Sequence, residues 1–95
     1  DEEIARYATI ERSKQVVPVI AALREQSQAV CNEVNAQARR RLAHGDSADE
    51  AIAYATASLM KKLLHQPSVT LRKAGEAADQ ETIDAARKLF GLDKD

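Results

Sequence analysis

Two histidines, one cysteine and a run of arginines are the side chains in this 95-residue sequence with the most obvious chemical capacity. His44 and His65 stand 21 positions apart, and neither has a metal-ligating residue at i+3 or i+4. A helical metal site needs such a pair on one face, so no metal is expected. Cys31 is the only cysteine. It follows Val30 in the middle of an apolar-periodic stretch, with no base nearby in sequence to make it a thiolate nucleophile, and reads as small core filler or a solvent-side bystander. The three glycines are scattered, so no phosphate-cradling loop can be drawn. Asp49, Glu50, Asp79 and Glu81 are accounted for by helix starts, where carboxylates meet the positive end of the dipole. The expectation is a chain with no catalytic residue, no metal and no cofactor site of its own.

Basic clusters remain. Arg39, Arg40 and Arg41 are consecutive, and Lys61-Lys62 is followed by Arg72-Lys73. Three successive residues on a helix fan over roughly 200°, so the arginines cannot form one stripe. Solvated helix surface is the plainer reading. Contact with a nucleic-acid backbone is the alternative, since Arg and Lys hold phosphates without reading sequence. No aromatic stacking platform accompanies them.

The elements that position these residues are helical throughout. Gly and Pro number three and two, which leaves little turn chemistry for a sheet, and the 44% apolar content includes only three aromatic residues. From Glu2 to Lys14, Ile4, Tyr7, Ala8 and Glu11 recur at helical spacing, and Glu2 and Arg6 form an i,i+4 pair. This segment reads as the tail of a helix beginning upstream. The lack of an initiator Met likewise predicts a piece of a longer protein. Pro18 ends that helix at Gln15-Val16-Val17 and opens a second. Ile20, Leu23, Val30, Val34 and Leu42 then recur every three or four residues up to about Ala43, with Gly45 as a left-handed stop. Ser47 and Glu50 form a capping box for a third helix bearing Ile52, Ala55, Leu59, Leu63 and Leu64, predicted to stop near His65 because of Pro67. In its last turn, His65 would interact with the helix dipole or brace the turn into Pro67. A short helix from about Ser68 to Ala77 and a last one capped by Asp79, with Ile83, Ala86, Leu89 and Phe90 inward, complete the chain. The fold class is all-α, a small helical bundle with one long helix.

A single domain of this size buries only about two-thirds of its unfolded surface and is marginal alone. A second helix of about 26 residues, close to 39 Å, overhangs so small a fold. Two copies side by side would cover the overhang, with Ile20, Leu23, Val30, Val34, Ile52, Leu59 and Leu63 as the expected interface and core. Net charge is −1, from 14 basic and 15 acidic residues, which excludes a general polycation. No apolar run reaches the roughly 18 residues of a membrane span. The acidic start is unlike a signal peptide, and a lone cysteine suits a reducing compartment, so a soluble cytoplasmic protein is expected.

Two stretches are more specific. Val16-Val17-Pro18-Val19-Ile20-Ala21-Ala22-Leu23-Arg24-Glu25 opens the long helix, and Leu59-Met60-Lys61-Lys62-Leu63-Leu64-His65-Gln66-Pro67-Ser68-Val69-Thr70-Leu71-Arg72 comes later. In order and separation they resemble the C-terminal dimerisation domain of glutamyl-tRNA reductases, as does the ending Leu89-Phe90-Gly91-Leu92. His65 and Pro67 carry the family-like motif. The resemblance implies a parent enzyme that reduces glutamyl-tRNA to glutamate-1-semialdehyde with NADPH, at the start of tetrapyrrole (porphyrin, haem) biosynthesis. Its catalytic cysteine and cofactor site would lie in other domains, so Cys31 does not inherit the nucleophile's role. The resemblance further implies a homodimer, glutamyl-tRNA as a partner of the parent, and a face of this domain offered to the tRNA or to a regulatory protein; Arg39, Arg40 and Arg41 are the candidate contacts to the tRNA backbone. On this reading residues 1–15 continue a helix from upstream domains, and residues 16–95 form the dimerisation domain. The alternative is a free-standing helical module that binds nucleic acid through Arg39, Arg40 and Arg41, or that binds a regulatory protein.

Overall fold

A computed structural model describes residues 2–93, with side chains from residue 5 onward other than Tyr7. Four helices follow one another: α1 (Glu2–Lys14), α2 (Val17–Ala43), α3 (Ala48–Glu76) and α4 (Gln80–Leu89). No strand occurs among the described residues. The expected roles of Ile4 and Tyr7, and of Glu2 in its pair with Arg6, fall outside the described side chains. The chain divides into two compact units, Asp1–Ala55 and Thr56–Asp95, with α3 running from the first into the second.

In the first unit, α1 ends at a turn over Gln15 and Val16 and meets α2. Pro18 stands in the first turn of α2, where its missing N–H costs nothing. The 27 residues of α2 extend about 40 Å. The helix ends in a Schellman motif: Gly45 takes φ +109°, its N–H donates to Leu42 O (3.2 Å), and Asp46 N–H donates to Arg41 O (3.0 Å). Arg41 Nε also donates to Asp46 Oδ2 (2.7 Å), fastening the turn. The Ser47 box forms reciprocally. Glu50 N–H donates to Ser47 Oγ and Ser47 N–H donates to Glu50 Oε1, both at 3.1 Å. The first turns of α3 then return along the end of α2. Tyr54 Oη donates to Gln37 Oε1 (3.2 Å), and the Arg41 guanidinium lies 4.2 Å from the Tyr54 ring centroid. Val34 and Ala51 are buried among the described residues of this unit.

The second unit corrects one expectation. Pro67 was expected to end a helix near His65 and leave a short separate one from Ser68; instead α3 is continuous over 29 residues with Pro67 inside it. An internal proline deletes one donor, here the N–H that would reach Leu63 O, and crowds that carbonyl. Around it, Pro67, Ser68, Val69 and Leu71 are half-buried and Ala74 is buried. His65 is therefore not in a last turn, and the dipole and turn-bracing roles expected of it lapse.

α3 ends in a second Schellman motif, with Ala78 at φ +55°, Ala78 N–H on Gly75 O (3.2 Å) and Asp79 N–H on Ala74 O (2.8 Å). Asp79 then caps α4. Thr82 N–H donates to Asp79 Oδ1 (3.1 Å) and Thr82 Oγ1 to Asp79 Oδ2 (2.6 Å). Gly91, at φ +62°, closes α4 in the same way, with Leu92 N–H on Arg87 O (2.8 Å). The inward face of α4 is narrower than expected. Ile83 and Ala86 are half-buried, but Leu89 and Phe90 point to solvent, because the helix ends at Leu89 and Phe90 is its cap.

Candidate dimerisation surface

The apolar residues of α2 and α3 are mostly not spent inside the single chain. At the start of α2, Val16, Ile20 and Leu23 fall at i, i+4 and i+7, on one face, with Val17 and Val19 beside them. All five are exposed, Leu23 to 62%. Of the residues expected as interface or core, Val34 is buried and Val30 half-buried, while Ile20 and Leu23 are open to solvent. On α3, Ile52, Leu59 and Leu63 lie at i, i+7 and i+11. Leu59 is half-buried, Leu63 is exposed, and Ile52 is 63% exposed. Met60 and Leu64 flank them, also exposed. A third exposed apolar group, Leu89, Phe90 and Leu92, ends the chain, with Leu89 at 81%.

Such faces are costly in water. Covering most of a Leu or Ile side chain is worth about 1–2 kcal/mol, and single-chain proteins rarely leave large contiguous apolar patches open. What these faces can do chemically is dock onto another apolar surface.

The polar candidates are distributed differently. Arg39 Nε donates to Asn35 Oδ1 (2.8 Å), and Arg41 is engaged by Asp46 and Tyr54. Arg40 is exposed and has no side-chain partner among the described residues. His44 Nδ1 is 2.7 Å from Arg40 O, and since a carbonyl only accepts, Nδ1 carries the proton. Gln37, Arg40, Arg41, His44, Asp46 and Tyr54 together line an open cleft of about 530 Å³. Sequence reasoning missed this grouping, since nothing local in the sequence announces that Tyr54 returns over Gln37 and Arg41. Cys31 is exposed, which removes the core-filler reading of it. Asp79 is held below the usual carboxylate range, first by the Thr82 hydroxyl and then by the Thr82 amide. No cluster of three or more His, Cys, Asp or Glu residues able to hold a metal occurs among the described residues. No helix among them is long and apolar enough to cross a membrane.

The family described as "Glutamyl-tRNAGlu reductase, dimerisation domain" matches residues 1–92. The chain belongs to the glutamyl-tRNA reductase dimerisation-domain family. It is 36% identical over 93 residues to proteins named glutamyl-tRNA reductase from Neisseria gonorrhoeae and Neisseria meningitidis, and 33% identical to one from Nitrosococcus oceani. Each alignment covers 98% of this chain and 22% of the relative, so the chain spans about a fifth of its relatives' length. No solved structure matches.

With the family shown, the reading as a free-standing nucleic-acid-binding or regulatory module gives way. Of the two residues of the family-like motif, His65 is exposed along α3 and Pro67 is half-buried two residues further on. The closing Leu89-Phe90-Gly91-Leu92 supplies the third apolar group and the Gly91 turn.

Proposed function

We propose that this domain joins two copies of its parent protein into a homodimer through Ile20 and Leu23 at the start of α2 and Ile52, Leu59 and Leu63 on α3, with Val30 and Val34 supporting α2 from within. The observation that carries this is the exposure of apolar side chains at helical spacing on both long helices. A permanent helical interface buries about 2,000 Å² or more in total, and association adds stability to N that a marginal monomer lacks.

The parent, on this reading, is a cytoplasmic NADPH-dependent glutamyl-tRNA reductase that supplies glutamate-1-semialdehyde for tetrapyrrole synthesis. Support comes from the names of the relatives. The domain's part is mechanical. It holds two catalytic arms in a fixed relation and leaves NADPH binding and hydride transfer to other parts of the parent. A regulatory protein could share the exposed faces only where the second copy leaves them open.

The test uses the full-length protein, measuring NADPH-dependent reduction of glutamyl-tRNA alongside mass by light scattering. Reduction by a dimer is expected. Undiminished reduction by a monomer would remove the role given to this domain, and a dimer inert toward glutamyl-tRNA would remove the activity given to the parent.

A further inference from the structure

The cleft at the end of α2 has donors to spare. Arg41 and Asp46 satisfy each other, and Arg41 also stacks on Tyr54. Tyr54 Oη uses the Oε1 of Gln37, which fixes the amide and leaves its Nε2 as an uncommitted donor. Arg40 brings an unpaired guanidinium. With its Nδ1 proton on Arg40 O, the His44 ring offers Nε2 to a ligand. The negative end of the helix dipole would oppose an anion here, but its carbonyls are occupied. Arg40 O, Arg41 O and Leu42 O accept from the N–H groups of His44, Gly45 and Asp46. The cleft's one carboxylate, Asp46, is already neutralised, so a cation is poorly served and an anion is not repelled.

We propose that this cleft seats one nucleotide of RNA backbone, with Arg40 and the Gln37 amide on a phosphate oxygen and His44 Nε2 accepting from the neighbouring ribose 2′-hydroxyl. A guanidinium matches a phosphate in a bidentate fork, and the 2′-hydroxyl is the donor that separates RNA from DNA. The RNA is the tRNA of the parent's reaction, so the site rests on the function proposed above. It narrows the arginine run to one residue. Arg40 faces the cleft, while Arg39 is tied to Asn35 and Arg41 to Asp46.

The experiment is fluorescence anisotropy of the full-length protein with unacylated glutamate tRNA over a series of salt concentrations. Arg40→Gln is expected to weaken binding about fivefold and to lower the salt slope by about 0.7–0.9, the signature of one lost phosphate contact. Arg40→Lys, which keeps the charge, should retain the slope, and Arg39→Gln should change neither quantity. His44→Asn, whose amide can still reach Arg40 O, should weaken RNA binding and leave binding of the same sequence in DNA unchanged. Wild-type affinity and slope in a dimeric Arg40→Gln variant would overturn the site, as would an equal loss in Arg39→Gln. Equal losses for RNA and DNA in His44→Asn would overturn the ribose contact. A wild-type protein that binds no tRNA would instead overturn the function proposed for the parent, and this site with it.

Discussion

Single residues decide how each helix of this domain ends, and two of them yield predictions. Ala78 adopts the left-handed conformation that Gly45 and Gly91 adopt at the equivalent points of α2 and α4. An L-residue pays about 1–2 kcal/mol there, partly offset because Gly is freer in the unfolded chain. Ala78→Gly should therefore stabilise the fold by about 0.5–1 kcal/mol, read as a rise in the urea midpoint at constant slope. Asp79 supplies the second. Its pKa is depressed by the Thr82 hydroxyl and amide, so its contribution is present above the unfolded carboxylate pKa and is lost as pH falls through the folded value. Asp79→Ala should lower the thermal midpoint at neutral pH and reduce the steepness of the decline below about pH 4. A mutant whose midpoint trails the wild type by the same margin at every pH would contradict that assignment.

At the scale of elements, the proposed interface places the apolar seam of α3 between the two copies. Leu59 and Leu63 lie four residues apart, and truncating a Leu that is buried in the assembled state costs about 2–5 kcal/mol. Where folding and association are coupled, that loss raises the dissociation constant by orders of magnitude. Leu59→Ala in the full-length protein should depress activity chiefly at low enzyme concentration, with partial recovery as concentration rises. Specific activity against concentration, with light scattering in parallel, reads this out. A variant that remains dimeric and is inactive at every concentration would show that α3 does more than hold copies together.

The elements were legible where their signals are local. Pro18, Gly45, the Ser47–Glu50 box and the Asp79 cap each act within four residues of themselves, and each stands where its chemistry required. Pro67 was misleading for the complementary reason. Its local effect is to break a helix, yet α3 runs on through it beside the half-buried Val69 and Leu71 and the buried Ala74, a burial that spacing alone does not reveal. Leu89 and Phe90 were placed inward because periodicity continued through them, while the helix stopped. The cleft around Arg40 and His44 depended on Tyr54 coming back over α2, a tertiary fact with no marker in the sequence. By contrast, the amphipathic seams of α2 and α3 were visible as periodicity, but periodicity does not say whether an apolar face meets its own chain or another.

For the whole molecule, the central claim is that a second copy covers those faces. The family that matches the chain is described as a dimerisation domain. The same claim implies that the domain alone neither binds NADPH nor reduces glutamyl-tRNA, which a fluorescence titration of the isolated chain with NADPH would check. Hydride transfer abolished by Cys31→Ser would contradict it most sharply. The most direct test of dimerisation is sedimentation equilibrium of the 95-residue chain near neutral pH. The expected species has twice the 10.4 kDa chain mass and is still assembled at roughly 50 μM, where a micromolar dissociation constant leaves most of the protein paired. A folded helical monomer of 10.4 kDa at that concentration would contradict it.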